Sequence, residues 1–550
     1  MSIGRMLPVG FAFAQLSVYV AIAIALQYAS GAHLDDFSAY NDEPSHYVTA
    51  LMVRDYFAAG LPRGPMLFAE NFYIHYPKMA MGHWPPAAYS LFAIWMLVFG
   101  AGRSSALLLM AVLTGACSLL LFTAAKRVLA RGSSHLIAFV FLLLPLVQRH
   151  NAMIMLEIPL MLVSLAAMLA MVTLVERDRW ADAVSWSLLS VAAIMTKGDG
   201  LALVLMLAIA LLLLRDLRRL LRPMMLVALM IIAIACGPFT LWSKAMVRDG
   251  LGSPGWRFFF SALPQLAGFL VGFLGAGLSV CAGVGVWRKL LLPLHNRCLE
   301  PFWAVMGSSI FSVWIFHAVV PSSVEPRMIF MAAPALLLFA GAGVDRLVIR
   351  LPHRMPLPRR QIIAPALVAI AFLVTTFEVP RGYCQGFARA VDFLLAEPKL
   401  KEVGLMVSSN TDGEGRFIAE VASHEASPQR LLIRSSKALV KTNWLLTDYQ
   451  LRATTTGQVS DILNRLSIGI LVVHNEPKRE THTHHQLLVT MLKENPDWQP
   501  IYSDHVRCSR HTEGEEIVIY SYKPDPFRKA ANVEVDLENK IGRTLRIGAP

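Results

Sequence analysis

Charged residues are scarce in this sequence. They make up 16% of its 550 residues, against roughly 25% in an ordinary soluble protein. The deficit is confined to the first part of the chain, because residues 1–380 hold 45 charged residues and the following 170 residues hold 43. A soluble globular enzyme is therefore excluded, and the composition predicts a membrane part followed by a soluble part.

Cysteine motifs are also lacking. The six cysteines include no C-x-x-C pair, which argues against a zinc site and against a disulfide framework. Cys384 and Cys508 are the only two well outside the membrane part. They are able to pair in an oxidising compartment, but two free thiols are the favoured interpretation.

Long apolar runs, in contrast, are abundant. Eleven segments qualify as candidate membrane-spanning helices, although several are shorter than the usual span of about 20 residues. They centre on residues 8–28, 104–125, 135–149, 158–175, 182–196, 200–214, 223–241, 263–286, 301–320, 328–344 and 361–379. The first is longer than the apolar core of a signal peptide and is interpreted as an anchor. The predicted fold is a polytopic α-helical membrane protein with about 11 transmembrane helices.

One further apolar segment, residues 86–100, decides the topology. If it lies along the surface as an interfacial helix, the basic loops all fall on one face, which the positive-inside rule assigns to the cytoplasm. Eleven crossings from a cytoplasmic N-terminus then place residues 380–550 outside. These loops also explain the net charge of +12 without nucleic acid. Their basic residues are Lys126, Arg127, Arg131, Arg177, Arg179, Arg215, Arg218, Arg219, Arg222, Arg288, Lys289, Arg297 and those of residues 346–360.

The soluble part alternates short apolar runs with helical patterns. Over residues 388–525 this alternation predicts a C-terminal soluble α/β domain with a largely parallel sheet. Residues 526–550 are charged, lack a strong apolar pattern and are predicted to form a loose tail.

The candidate chemistry begins in the first loop, residues 30–102. This loop is too long for a simple connector, which favours a functional role. Asp42 and Glu43 lie at the start of an amphipathic helix within it. A helix cap is the simple alternative for Asp42, and Asp35 and Asp36 are further candidates for any role that a carboxylate fills here.

Three charged residues lie at other membrane boundaries on the same face. Glu157 follows the third span, and an acid in an apolar run favours a function over an exposed loop position. Lys197 follows Thr196 in a glycine-containing turn, and Arg327 precedes the tenth span. Both cations suit a phosphate group, with contact to lipid headgroups as the alternative.

These residues form an ordered set of motifs. The set comprises the Asp42-Glu43 pair, the segment Gly82-His83-Trp84-Pro85-Pro86, Glu157-Ile158-Pro159 and Thr196-Lys197-Gly198. It resembles the GT-C glycosyltransferases, and in particular the protein O-mannosyltransferases and the lipid A aminoarabinosyltransferase. The resemblance covers about residues 8–380, so residues 1–380 are assigned to a GT-C-like transmembrane catalytic domain.

The resemblance implies an inverting transfer of a sugar from a polyprenyl-phosphate carrier to an acceptor on the outer, periplasmic face of a bacterial inner membrane. Asp42 matches the general base and Glu157 the second acid, while Glu43 stays open as a catalytic acid. Lys197 matches a phosphate-binding lysine, with Arg327 as a second clamp. A single base and cations at the leaving phosphate suffice for this chemistry.

The sequence departs from the family pattern at Trp84, where relatives often carry a lysine. His83 or Lys78 is therefore a further candidate for the donor phosphate. No cofactor is expected, although Asp42, Glu43 and His46 form a possible metal cluster. The expected partners are the lipid-linked donor, an unknown acceptor and membrane lipids.

Two other functions remain open. Many spans with buried charge also suit a transporter of a lipid-linked or anionic substrate. The long first loop and the lack of an evident internal repeat argue against it. A membrane scaffold that presents the outer domain leaves the ordered acids unexplained.

Overall fold

The protein is described by a computed structural model over residues 9–80, 82–248, 255–352, 355–409, 412–425, 428, 430–442, 449–476, 481–509, 514–525, 533–536 and 544–547. Its membrane part is helical. The helices are α1 (Val9–Ser30), α2 (Glu43–Ala58), α3 (Pro65–His75), α4 (Ala87–Phe99), α5 (Arg103–Ala125), α6 (Arg131–Leu143), α7 (Pro145–Asn151), α8 (Glu157–Arg177), α9 (Trp180–Ile194), α10 (Ala202–Leu213), α11 (Pro223–Arg248), α12 (Trp256–Gly272), α13 (Gly275–Val286), α14 (Leu292–His295), α15 (Pro301–Val319), α16 (Ala333–Arg350) and α17 (Leu357–Thr375).

Over the described residues, eight helices are long and apolar enough to cross a membrane. The pair α6 and α7, which bend by 57° where Pro145 interrupts the helical hydrogen bonding, makes a ninth crossing if the two count as one span. The shorter apolar helices α9 and α10 bring the number close to eleven. The prediction of a polytopic helical membrane protein is confirmed.

One predicted span is wrong as a single helix. Residues 263–286 fall on two helices, because α12 ends at Gly272 and α13 begins at Gly275. Gly275 has a φ of 74°, a conformation that side-chain-bearing residues rarely adopt. The apolar composition continues through this break, so hydropathy alone does not reveal it.

The segment 86–100 forms α4, a helix of 13 residues. At a rise of about 1.5 Å per residue it covers about 20 Å, less than the thickness of a bilayer core of about 30 Å. It packs against α2 within the first loop. These features fit an interfacial helix, and the orientation of the protein in the membrane stays a prediction.

The C-terminal region contains the sheets. Its helices are α18 (Phe387–Ala396), α19 (Gly413–His424), α20 (Ser435–Ala438), α21 (Thr456–Arg465) and α22 (Thr483–Glu494). Its strands are β1 (Cys384–Gln385), β2 (Gly404–Ser409), β3 (Leu432–Arg434), β4 (Val440–Lys441), β5 (Gln450–Leu451), β6 (Ile468–Asn475), β7 (Trp498–His505), β8 (Arg507–Cys508), β9 (Glu516–Tyr522), β10 (Val533–Asp536) and β11 (Thr544–Ile547). Of the predicted tail, only the antiparallel pair β10 and β11 lies within the described residues.

The main sheet has five strands in the order β3-β2-β6-β9-β7. The first three are parallel, whereas β9 and β7 pair antiparallel. The sheet is therefore mixed, not largely parallel. The sequence analysis missed β7 because this strand is polar and contains Pro500, a composition that sheets tolerate at an edge.

Two neighbouring acids of the first loop hold the start of the C-terminal region. One carboxylate oxygen of Asp36 accepts the backbone N–H groups of Gly386 and Phe387 at 2.7 and 2.9 Å. These bonds satisfy N–H groups at the start of α18. Asp35 accepts the backbone N–H of Cys384 at 2.8 Å. Asp35 and Asp36 thus join the first loop to the start of the C-terminal region through hydrogen bonds.

At this junction Cys384 and Cys508 form a disulfide between β1 and β8, contrary to the favoured expectation of free thiols. The two cysteines are separated by 124 residues. Sequence spacing cannot reveal this pairing because it depends on how β1 and β8 meet in the fold.

Replacing Cys508 by serine is expected to destabilise the C-terminal region by about 2–4 kcal/mol, because a long loop of the unfolded chain is no longer closed. A melting temperature measured by thermal unfolding with and without reductant checks this. Wild type should melt at a lower temperature in reductant, and Cys508→Ser should not respond. The exposed free thiol of Cys298 supplies the control Cys298→Ser. Equal melting temperatures for wild type and Cys508→Ser would contradict the prediction.

Candidate active site

Asp42 immediately precedes α2 but does not cap it. Its side chain makes no hydrogen bond with the helix backbone. Instead, one carboxylate oxygen lies 3.1 Å from Nη1 of Arg327, 285 residues further along the chain. The capping alternative for Asp42 is therefore wrong, and the carboxylate belongs to a tertiary ion pair.

Glu157 and Lys197 form a second ion pair next to the first. Oε1 of Glu157 lies 3.0 Å from Nζ of Lys197 and 3.7 Å from Nη1 of Arg327. Lys197 also lies 2.8 Å from Oδ2 of Asp199. Burial alone disfavours the charged lysine, but the carboxylates of Asp199 and Glu157 raise the pKa of Lys197 above its usual range. Lys197 is therefore a fixed cation at neutral pH.

A tight turn positions Lys197 between α9 and the 3₁₀ turn that precedes α10. The backbone N–H of Lys197 donates to the carbonyl of Ala193 at 3.0 Å, and that of Gly200 donates to the carbonyl of Lys197 at 2.9 Å. A Cβ on Gly200 would lie 2.6 Å from the backbone of Ala193, so only glycine fits there. Gly200 thus acts through backbone packing, whereas a Cβ on Gly198, the glycine of the predicted motif, would meet no atom within 4 Å.

Arg327 is held on several sides. Its Nε lies 3.1 Å from Oε2 of Glu325, and its guanidinium lies over the ring of Tyr40 at 4.5 Å from the centroid. The hydroxyl of Tyr40 donates to the same Glu325 oxygen at 2.7 Å. Arg327 therefore joins the first loop to the residues before α16.

His46, on the first turn of α2 after Asp42, belongs to a group of aromatic side chains with Trp84 and Tyr89. The ring of His46 packs on Trp84, with centroids 4.2 Å apart, and its Nδ1 lies 2.7 Å from the hydroxyl of Tyr89. Burial lowers the pKa of His46 to about 4, against the opposing effect of Asp42 and Glu157. His46 is therefore neutral at neutral pH, and it adds no positive charge to the site.

Glu43 is engaged by partners other than those of Asp42. Its buried carboxylate lies 2.9 Å from Arg103 and accepts the backbone N–H of Ile154 at 3.1 Å. Arg103 also lies 3.3 Å from Asp35. Asp35, Asp36 and Glu43 thus bind other groups, whereas Asp42 pairs with Arg327.

The two alternative phosphate ligands each contact a residue outside these ion pairs. The ring of His83 packs edge-on against Trp84, with centroids 4.6 Å apart. Lys78 is partly buried at the C-terminal region, and its side chain packs over Gly415 of α19. Burial and the nearby charge of Arg434 lower the pKa of Lys78 to about 8. The charge of Asp42 opposes this shift, and Lys78 and His83 both stay candidates for the donor phosphate.

A metal cluster is not formed by the predicted acids. Among the described residues, no three His, Cys, Asp or Glu side chains are placed to hold a metal ion together. This includes Asp42, Glu43 and His46, the combination that the sequence left open.

The sequence analysis missed three residues near the cluster. Tyr40 and Asp199 contact the two cations directly. His317 is buried on α15, where the charges of Asp199 and Lys197 act on its ring. A single histidine in an otherwise apolar span is itself a signal of function, and it identifies His317 from sequence.

The chain is similar to known proteins in part of its sequence and in its fold. A family model described as dolichyl-phosphate-mannose-protein mannosyltransferase matches residues 83–242, less than a third of the chain. No curated protein sequence matches the chain.

The solved structures that match share the fold at low sequence identity. ArnT from Cupriavidus metallidurans in the apo state is 15% identical with a TM-score of 0.57, and the match covers 92% of this chain and 98% of that one. The same enzyme bound to undecaprenyl phosphate matches at 14% identity, with a TM-score of 0.57 and coverage of 92% and 97%. The archaeal oligosaccharyltransferase AglB from Archaeoglobus fulgidus, in complex with an inhibitory peptide and a dolichol-phosphate, is 13% identical with a TM-score of 0.53, covering 84% and 69%. The resemblance to the GT-C glycosyltransferases is thus confirmed, and the chain is an integral membrane protein with the ArnT-like fold and a C-terminal sheet-containing region.

Proposed function

We propose that this protein is an inverting glycosyltransferase that moves a sugar from a polyprenyl-phosphate carrier to a hydroxyl-bearing acceptor. The observation that carries the proposal is the cluster in which a carboxylate, Asp42, pairs with Arg327, while Glu157 links Arg327 to the second cation, Lys197. The fold supports it, because the ArnT structure of the same fold holds undecaprenyl phosphate.

In the proposed reaction Asp42 removes the proton of the acceptor hydroxyl while that oxygen attacks the anomeric carbon. The bond between this carbon and the phosphate oxygen breaks, and its electron pair leaves with the carrier phosphate. Arg327 and Lys197 stabilise the departing charge, as fixed cations do in a water-poor site. Attack opposite the leaving group inverts the anomeric centre, and the proposed step uses no metal ion.

The ion pair between Asp42 and Arg327 has a consequence for this mechanism. While Arg327 pairs with Oδ2 of Asp42, that oxygen is not available to take the proton of the acceptor. A carrier phosphate is a competing partner for Arg327. We propose that donor binding draws Arg327 from Asp42 and thereby prepares the base before the acceptor reacts.

The proposed orientation places the N-terminus in the cytoplasm, and the C-terminal region and the cluster outside a bacterial inner membrane. The basic loops support this orientation through the positive-inside rule. The disulfide between Cys384 and Cys508 supports it too, since disulfides persist in oxidising compartments such as the periplasm.

Glu157 is proposed as the second acid of the reaction, and Glu43 as a structural residue because Arg103 and Ile154 already satisfy one of its oxygens. Lys78 and His83 are not needed for the donor phosphate, because Arg327 pairs with the base and Glu157 holds Lys197 beside Arg327. They stay candidates for contacts at the edge of the site.

The first test is binding of undecaprenyl phosphate to the purified protein and release of sugar from a panel of polyprenyl-phosphate sugars. Lys197→Met is expected to weaken undecaprenyl phosphate binding by about 10- to 100-fold, the effect of one lost hydrogen bond between charged groups. Microscale thermophoresis in detergent measures it.

The matched control is Lys126→Met, since Lys126 lies at the end of α5 against Phe122 and away from the cluster. Melting temperatures of both variants monitor folding. Undecaprenyl phosphate binding unchanged by Lys197→Met would refute the assigned phosphate site. Binding of glycosylated carriers without any sugar release would favour the transporter.

A further inference from the structure

Trp84 lies next to the cluster and keeps part of its side chain exposed. Its ring packs on the ring of His46, with centroids 4.2 Å apart, and the backbone N–H of His46 donates to the carbonyl of Asp42 at 3.0 Å. His46 is buried, with 3% of its surface exposed, whereas Trp84 is half-buried. Part of a large aromatic surface thus stays open to contact about one helical turn from the proposed base.

The segment that follows Trp84 is tied to the turn of the second cation. The backbone N–H of Ala87 donates to the carbonyl of Met195 at 2.9 Å, and Met195 lies two residues before Lys197. The two prolines between Trp84 and Ala87 have fixed φ angles, which leave this connection little freedom. The chain around Trp84 therefore contacts the helix of the base on one side and the turn of Lys197 on the other.

Neighbouring rings restrict the orientation of Trp84. His83 packs edge-on against it, with centroids 4.6 Å apart, and the ring of His46 is tilted by 43° against it. His46 is in turn held by Tyr89, whose hydroxyl lies 2.7 Å from Nδ1. Because these contacts position the ring before a ligand arrives, a ligand that packs on Trp84 binds with little loss of side-chain entropy.

The character of these side chains restricts what binds beside them. Indole carries no charge, and His46 is neutral because burial lowers its pKa to about 4. A phosphate group has its charge partners elsewhere, at Arg327 and Lys197. A sugar ring, in contrast, presents C–H groups on one face, and this apolar face packs well on the flat face of an aromatic ring.

We infer that Trp84 forms the platform on which the sugar of the donor packs, an inference that rests on the proposed function. In the proposed reaction the anomeric carbon lies between the phosphate at Arg327 and Lys197 and the acceptor oxygen at Asp42. The sugar that contains this carbon extends from there over the ring of Trp84. Trp84 is then a residue that selects the sugar and contributes little to binding of the carrier phosphate.

The test compares binding of bare undecaprenyl phosphate with binding of a panel of undecaprenyl-phosphate hexoses and pentoses. Wild type is expected to bind at least one glycosylated carrier about 10-fold more tightly than the bare carrier. Trp84→Leu should weaken binding of that glycosylated carrier by about 5- to 10-fold, because leucine offers no flat ring. Trp84→Phe keeps an aromatic face and should lose less than about 3-fold. Binding of the bare carrier should stay unchanged in both variants.

A contact between Trp84 and lipid tails is the alternative, since tryptophan is common at membrane interfaces. Leucine and phenylalanine would then serve equally well, and any loss would affect the bare carrier as much as the glycosylated one. Trp180→Leu is the matched control and should change neither affinity. Trp180 is 54% exposed and begins α9, whose opposite end precedes the turn of Lys197.

Melting temperatures monitor the folding of all variants, and Trp84→Met, which also lacks a ring, takes the place of Trp84→Leu if that variant does not fold. Equal weakening of both ligands by the folded variant without a ring would overturn the inference. Equal affinities of this variant and Trp84→Phe for the glycosylated carrier would overturn it too, as would a wild type that binds every glycosylated carrier no better than the bare one. In contrast, failure of wild type to bind any of these lipids would refute the proposed function itself.

Discussion

Asp42→Asn is expected to lower turnover by about 10²- to 10⁴-fold, the usual contribution of a positioned general base. Asparagine keeps the size of the side chain but takes up no proton from the acceptor. Binding of undecaprenyl phosphate should be retained and become tighter, because the uncharged amide no longer competes with the phosphate for Arg327. Turnover with a lipid-linked sugar and affinity for the bare carrier are the two measurements.

Asp55→Asn supplies the matched control. Asp55 lies on α2, the helix that begins after Asp42, but its carboxylate pairs with Arg54. It should leave turnover within a few-fold of wild type. Full activity of Asp42→Asn would refute Asp42 as the base. A loss of both turnover and carrier binding would instead assign Asp42 to the architecture of the donor site.

Arg103→Met is expected to lower the free energy of unfolding by about 3–5 kcal/mol, because it leaves the carboxylate of Glu43 buried without its cation. Glu43 has no exposed side-chain surface, and Arg103 has 10%. The melting temperature of the purified protein measures the loss, and the expected effect exceeds that of most single substitutions.

The loss should depend on pH in a defined direction. Burial raises the pKa of Glu43, and without Arg103 nothing of like strength opposes this rise. In the variant the folded state then holds a proton that the unfolded state releases above about pH 4.5, so stability falls as pH rises. The gap to wild type should therefore be wider at pH 8 than at pH 5.

Arg103→Met combined with Glu43→Gln tests the pair itself. The double variant has no buried charge at this pair, so it should recover much of the lost stability and respond less to pH. A double variant that is less stable than Arg103→Met would contradict the buried charge of Glu43 as the source of the loss.

The membrane part was largely predictable because the bilayer leaves few structural options. Every backbone polar group in the hydrocarbon core must be satisfied within the chain, so an apolar run of sufficient length becomes a helix. This reasoning identified α5, α8 and α16 from composition alone. It failed at residues 263–286, where a change of backbone direction at Gly275 leaves the composition unchanged.

The C-terminal region was predicted less completely for a different reason. Buried strands such as β2 and β6 are continuous apolar runs, and these are readable in the sequence. An edge strand such as β7 is mostly exposed and carries no such signal. The disulfide depends on which strand lies beside β1, and one sequence holds no record of that pairing.

The sequence by itself determined the helical membrane class and the order of the motifs, because hydropathy and local residue types are properties of short segments. It did not determine which charges pair. Asp42 meets Arg327 across 285 residues, Glu43 meets Arg103 across 60, and Glu157 meets Lys197 across 40. Only the tertiary structure decided these partners, since ion pairing depends on distances of a few ångströms that helix packing sets.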